Sequence, residues 1–260
     1  MGGSRADHDA RVRMEFARQA DTLAKGAVFS NEAVLARIRA AAGLGRNERA
    51  LDVACGPGIV VAALAPDARE VVGCDITPEM LDKARERCAK AALASVRFVP
   101  GRVEALPFAD GEFDVVVSRS AVHHFADPAL AFREMARVLR KGGRMVTVDV
   151  AASEDGEKAA LHNALEALRD PSHARMLPLS ELHALKSEAG LAIEESLSWA
   201  NSREFGEWMG ITGAPERSGP LMAVMTALAR AGLDAGIGLK LDDGRLVFEH
   251  RACLTLALKL

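Results

Sequence analysis

Tyrosine is absent from this chain of 260 residues, and aromatic residues of every kind make up only 4% of it. Any mechanism that rests on a phenolic hydroxyl is therefore excluded. Also missing is a surplus of positive charge: 33 Lys and Arg stand against 36 Asp and Glu, a formal net charge of -3. A nucleic-acid partner calls for a basic face, so none is expected. No apolar run approaches the length of a membrane span, and no membrane association is expected. The opening Met-Gly-Gly-Ser-Arg-Ala-Asp-His has no apolar core for a signal peptide, and Ala6 stands where myristoylation needs Ser or Thr. Cys55, Cys74, Cys88 and Cys253 show no paired ligand spacing, so no metal site is expected. They read as small buried hydrophobes of a reducing, cytoplasmic compartment. No low-complexity linker or internal repeat divides the chain. One α/β domain is the expectation, and 49% hydrophobic residues are ample for its core.

What is present centres on Arg49-Ala-Leu-Asp-Val-Ala-Cys-Gly-Pro-Gly58, followed by Glu70-Val-Val-Gly-Cys-Asp75. An apolar strand enters a glycine turn, a helix follows, and a second apolar strand ends on a carboxylate. That order brings backbone amides and an acid to one edge of a parallel sheet, where a nucleoside can lie across both. A dinucleotide fingerprint needs a third glycine, but Val61 holds that position and Pro57 interrupts the turn. A P-loop is excluded too, because no Gly-Lys-Ser/Thr follows. What remains is Asp52-x-Ala54-x-Gly56-x-Gly58, a turn that lets a small ligand lie against bare backbone.

Strands and helices alternate from there. Asn31 can cap a helix with an apolar stripe of Val34, Leu35, Ile38 and Ala42, ending at Gly43. Strands are expected at 51–54, 71–74, 96–99, 113–118 and 144–150. Helices are expected at 58–65, after the Thr77-Pro78 cap, and from Asp127-Pro128 to Gly142-Gly143. Parallel strands joined by helices give a doubly wound sheet. Two further strands, at 193–199 and 246–258, flank a helical insertion, and a last strand reached without an ordinary crossover suits an antiparallel edge.

The matching stretches Leu51-Asp-Val-Ala-Cys-Gly-Pro-Gly58, Val72-Gly-Cys-Asp-Ile-Thr-Pro-Glu-Met80, Glu104-Ala-Leu-Pro-Phe108, Phe113-Asp-Val-Val-Val-Ser118 and Glu134 to Arg144 occur in an order specific to one family. Across nearly its full length the chain resembles class I S-adenosylmethionine-dependent methyltransferases. The likeness is to the ubiquinone/menaquinone C-methyltransferase branch and to small bacterial relatives of unassigned substrate. The resemblance implies a Rossmann-like, mostly parallel seven-stranded sheet with an antiparallel last strand, and S-adenosylmethionine as cofactor. It also implies an N-terminal lid over 1–30, a cofactor-binding core over 31–150, and an insertion over 151–260 that shapes the acceptor pocket.

On that resemblance Asp52, Ala54, Gly56 and Gly58 form the cofactor turn, with Ala54 where many members have glycine. Asp75 accepts from the ribose hydroxyls, while Thr77 is expected to serve as the cap of the next helix. Ile76 and Met80 sandwich the adenine. Arg102 departs from the pattern, since many members have an acid there; the adenine edge then meets backbone around Arg102 and Val103, or Arg102 faces solvent and Glu104 compensates. Ser118 closes the cofactor site. His123 and His124 are candidate bases where cofactor and acceptor meet. Relatives often carry a tyrosine near Leu23, so a step resting on that hydroxyl has no counterpart here. His173 is a candidate pocket residue, and Trp199, Phe205, Trp208 and Met209 offer apolar surface for an acceptor.

The expected activity is methyl transfer to a small-molecule acceptor, yielding S-adenosylhomocysteine. A cofactor-binding protein or a non-methylating enzyme on the same fold is the alternative, because chemistry lives in the site rather than the fold. A nicotinamide-dependent oxidoreductase is disfavoured by Val61.

Overall fold

The computed structural model describes residues 5–25 and 31–260. Five strands run parallel: β1 (Arg49–Val53), β2 (Glu70–Asp75), β3 (Val96–Pro100), β4 (Phe113–Arg119) and β5 (Leu139–Ala151). Beyond β5 lie β6 (Leu191–Glu204) and β8 (Arg245–Lys259), in the order β3-β2-β1-β4-β5-β8-β6. β8 is antiparallel to both neighbours, as expected of the last strand. A short eighth strand, β7 (Lys240–Asp242), folds back on β8 as a hairpin. It has too few apolar residues to announce itself in the sequence.

Local chemistry explains most of the boundaries. Helix α2 (Glu32–Ala42) starts where the Asn31 side chain accepts from the Ala33 and Val34 amides, and stops at left-handed Gly43. Helix α3 spans Ile59–Leu64, α4 spans Pro78–Lys90, and α5 spans Pro128–Val138 behind an Asp127 cap. The helix cap expected of Thr77 is not made: its side chain forms no capping bond. The Asp75 carboxylate takes the Thr77 amide instead, at 2.8 Å. Helix α5 ends at Val138, four residues before Gly142, because Leu139 already pairs with Phe113 at the start of β5.

The sheet buries both faces, which is why its strands read as continuous apolar runs. Leu51, Val53 and Val116 share one core with Phe132 and Met135 of α5. Ala50, Val115 and Val117 point the other way, into a core with Val34 and Ile38 of α2 and Val61 of α3. The C-terminal insertion holds α6 (Gly156–Arg169), α7 (Leu179–Glu188), α8 (Phe205–Thr212) and α9 (Pro215–Arg230). A third core, with Phe205, Trp208, Met225 and Phe248, joins α8 and α9 to the overhanging end of β8. Helix α1 (Arg5–Lys25) packs on α4 and α8 through Ala20, Leu23 and Met80. Among the described residues no helix is long and apolar enough to cross a membrane.

Gly58 sits at φ 72° where α3 meets α4, and an added Cβ would stand 2.8 Å from the Ala84 Cβ. Gly56, at φ 49°, faces open space, with nothing within 4 Å of an added Cβ. Alanine at either position should cost about 1–2 kcal/mol for the left-handed backbone. Gly58→Ala should lose a further ~1–3 kcal/mol from overpacking. Urea unfolding of both variants checks this, and equal losses at the two positions would refute the packing role of Gly58.

Candidate active site

A pocket opens at the carboxyl ends of β1, β2 and β4, where strand order reverses between β1 and β4. Open α/β sheets place their ligands at this crevice, because the flanking connections part there. One end of the pocket is built by the glycine turn. Asp75 accepts from the Gly56 amide through Oδ2 and from the Thr77 amide through Oδ1, both at 2.8 Å. Ala54 and Gly56 both hold positive φ, 56° and 49°, so the turn exposes backbone to the cavity.

Asp52 shares that end, and Asp52 Oδ2 is buried without a hydrogen-bond partner. Burial, and then the Asp75 charge beside it, push the Asp52 carboxyl up to about 8, against the pull of Arg119. Burial likewise raises Asp75, although the Thr77 and Gly56 amides oppose it. Two buried acids with spare acceptor capacity suit a ligand that brings hydroxyl donors, and a positive group on it would favour their ionised forms. S-adenosylmethionine carries ribose hydroxyls, an ammonium and a sulfonium, and so fits this donor set.

Ile76 and Met80 line the same wall. Met80 is also 1% exposed and packs on Ala20 and Leu23, so its helix-core and pocket roles coincide. Arg102 and Val103 are at the rim. The Arg102 guanidinium is neither free in solvent nor turned to the ligand: Nη1 pairs with Asp9 on α1 at 3.0 Å, and Nη2 lies 3.7 Å from Glu104. Two expected cofactor residues stand off the wall. Ser118 is fully buried because β4 continues through Arg119, so the wall begins at Arg119 and Ser120. Gly58 lies behind the turn, where it admits Ala84.

The other half of the pocket begins at His123 and His124, on a 3-10 turn after β4. His123 Nδ1 lies 2.5 Å from Asp149 Oδ1, at the end of β5, while Asp149 Oδ2 accepts from the Val122 amide at 2.7 Å. Burial disfavours the charged imidazole, but Asp149 outweighs it and raises His123 above its ordinary value. His124 Nδ1 donates to the Ser172 carbonyl at 3.0 Å. Burial and the neighbouring His123 charge push His124 down to about 3, which keeps it neutral. The two candidates are therefore unequal. His123 has the partner that fixes a tautomer and leaves Nε2 for proton transfer.

His173 is buried beside this pair but does not line the pocket; its Nε2 bonds Asn163 Oδ1 at 2.8 Å. Trp208 does reach the wall, whereas Phe205 and Met209 pack in the core behind it. Trp199 lies elsewhere, under the Arg37 guanidinium. Sequence reasoning missed Asp149, Glu166 and His250, and in the segment from Arg169 to His173 it singled out His173 where Arg169 and Asp170 reach the wall. Asp149 follows the apolar run of β5 two residues before the strand's end, much as Asp75 closes β2, and that likeness was the available signal. Glu166, Arg169 and Asp170 form a polar stripe at helical spacing on an inward face of α6 and its cap.

Comparisons with known proteins bear on the family and the fold. A family model described as a methyltransferase domain matches residues 51–147. The uncharacterized methyltransferase YcgJ of Bacillus subtilis is 39% identical over 167 residues, covering 64% of this chain and 66% of that protein. Its crystal structure superposes with a TM-score of 0.83 at 32% identity, over 88% of this chain and 99% of that one. A putative methyltransferase from Bacillus halodurans gives 0.81 at 32% identity, over 86% and 98%. The demethylmenaquinone methyltransferase of Deinococcus radiodurans is 40% identical over 111 residues, 42% of this chain and 45% of that protein. With the fold, the glycine turn and the acid at the end of β2 in place, the chain belongs to the methyltransferase-domain family of class I S-adenosylmethionine-dependent methyltransferases.

Proposed function

We propose that the chain transfers the methyl group of S-adenosylmethionine to a small-molecule acceptor and releases S-adenosylhomocysteine. The observation that carries this is the buried pair Asp52 and Asp75 facing a glycine turn at one end of a two-part pocket. Bound there, the cofactor supplies a sulfonium methyl that reacts by in-line displacement, so positioning accounts for much of the catalysis. Asp75 holds the ribose while its amide bonds keep the turn in place. Asp52 offers its unpaired oxygen to a cationic or hydroxyl group of the ligand. Ile76 and Met80 give the adenine flat apolar contact. The Arg102 side chain is engaged elsewhere, so the adenine edge meets the backbone around Arg102 and Val103.

Helix α1 acts as the lid, with His8, Asp9, Phe16 and Gln19 over the cavity. Residues 1–4 and 26–30 of the expected lid lie outside the described residues. A closed lid excludes water from the transfer and limits the acceptor to a small molecule. The acceptor half is lined by Glu166, Arg169, Trp208 and His250, all beyond the segment 51–147 that the family model matches. Its chemistry therefore rests on this chain's own residues. For acceptors that must lose a proton, His123 takes it at Nε2 while Asp149 holds Nδ1–H. Four free, buried cysteines accord with a reducing, cytoplasmic setting.

Calorimetric titration of the purified protein with S-adenosylmethionine, S-adenosylhomocysteine and NAD tests the cofactor site. The first two should saturate it and NAD should not. Asp75→Ala should weaken binding about ten- to a hundredfold, the equivalent of roughly 1.5–3 kcal/mol from charge-assisted bonds. Unchanged affinity in a folded variant would remove Asp75 from the site, and binding of NAD alone would overturn the cofactor.

The His123–Asp149 pair gives a pH dependence of known sign. A raised imidazole pKa means the pair's stabilisation is complete below the unfolded histidine value, about 6.5. It is lost as pH rises through the folded value, and over that same range His123 becomes competent as a base. In Asp149→Asn, burial is opposed by the charges of Glu166 and Asp170 without the Asp149 contact, so His123 should titrate lower than in the parent. NMR titration of the ring protons in both proteins measures the drop. A His123 titration that does not move would dissolve the pairing.

A further inference from the structure

Helix α6 carries His162 and Glu166 four residues apart, which places them on one face, and His250 of β8 lies opposite. All three are buried, at 2%, 2% and 4% exposure, and Glu166 and His250 reach the pocket wall. Glu166 Oε1 lies 3.2 Å from His250 Nε2 and 3.6 Å from His162 Nε2. Yet none of these three atoms has a hydrogen-bond partner. Close approach without bonding leaves three buried polar atoms unsatisfied at one point, and each such group demands an explanation.

We infer that His162, Glu166 and His250 bind one divalent transition-metal ion of zinc type at the floor of the acceptor half. Tetrahedral ligands held at about 2.1 Å from a metal stand about 3.4 Å from one another. The two measured separations bracket that value, and the ligand atoms all lie within 4.8 Å of one another. Two imidazoles and one carboxylate suit transition ions with nitrogen and oxygen preference, rather than magnesium or calcium. The remaining carboxylate oxygen is held from outside: Arg169 Nη1 donates to Glu166 Oε2 at 3.0 Å, which orients Oε1 toward the histidines. The arginines nearby bring their own counter-charges. Asp170 lies close enough to Arg169 to feel its charge, and Arg203 pairs with Glu207 at 2.9 Å.

Three protein ligands leave a coordination position on the pocket side. An acceptor bearing an oxygen able to coordinate would be fixed and polarised there. That role rests on the proposed methyl transfer; the metal site itself does not.

The test uses the full chain, dialysed against a chelator and then freed of it. Zinc titrated calorimetrically should bind with a stoichiometry of one. Cobalt(II) should give visible d–d bands without the thiolate charge-transfer band that cysteine ligation would add. His162→Gln, Glu166→Gln and His250→Gln should each weaken zinc at least about tenfold, while His183→Gln, on the outer face, should leave it unchanged. The cobalt spectrum of the unaltered chain keeps the test decisive even where a buried substitution impairs folding. Failure to bind zinc saturably, a thiolate band, or folded variants that bind like the parent would overturn the site. S-adenosylhomocysteine is titrated into the same samples. Loss of that binding with zinc retained would refute the cofactor proposal and leave the metal site standing.

Discussion

The Asp75 carboxylate ties together the two chain segments on which the pocket depends. One oxygen receives the Gly56 amide and the other the Thr77 amide. The glycine turn after β1 and the helix start after β2 are thereby locked to one side chain at the sheet edge. A backbone bond from Cys55 to the Cys74 carbonyl, at 3.1 Å, runs beside it. Each carboxylate oxygen has two lone pairs, so satisfying these amides leaves acceptor capacity toward the cavity. The same group is both the clasp of the turn and the proposed ribose anchor. That double duty explains why Thr77, one residue into the connection, makes no side-chain cap of its own.

Opposite this clasp the site is closed by polar contacts rather than by apolar area. The inward face of α1 carries Asp9, Glu15 and Gln19, all buried. Asp9 meets Arg102, Glu15 meets Arg18 and Arg217, and Gln19 approaches Asp170 at 3.5 Å. Buried ion pairs return little net stability after desolvation, but they fix one docking geometry. Among the described residues Leu23, Ala20 and Phe16 give the helix a small apolar footing against Met80 and Ile211. A helix docked mainly by specific pairs buries less apolar area than one held by a broad apolar face. Arg102 belongs to this closure, which gives physical content to its departure from the family pattern.

How far the sequence reveals all this depends on range along the chain. The α2 boundaries follow from Asn31 and Gly43 alone, and the parallel strands from apolar runs ending in Asp75 or turning at glycine. Those signals are local, so they survive without tertiary information. The His123–Asp149 contact spans two strand ends, and no spacing rule links them. His162, Glu166 and His250 converge from a helix and an antiparallel strand more than eighty residues apart, which hides a ligand set from any search for paired cysteines or histidines. Ser118 was misplaced by a different route. Its strand runs one residue further than its apolar pattern, and one residue decides whether a side chain meets the cavity or the sheet.

Three imidazoles, of His123, His124 and His173, crowd one side of the pocket, and they differ in whether a carboxylate offsets burial and mutual repulsion. The His123 ring lies 4.2 Å from that of His124 and 5.9 Å from that of His173, centre to centre. Burial penalises a proton on any of them, and a second positive charge at such range adds to the penalty. Only His123 has a carboxylate in direct contact to offset it. Burial and the His123 charge therefore drive His124 to about 3 and His173 to about 4. His124, neutral, spends Nδ1–H on the Ser172 carbonyl and sets its ring edge-on to Phe16 of α1, 4.9 Å away. The adjacent histidines thus separate into one whose charged form is favoured and one held neutral. Asp149, not the imidazoles themselves, makes the choice.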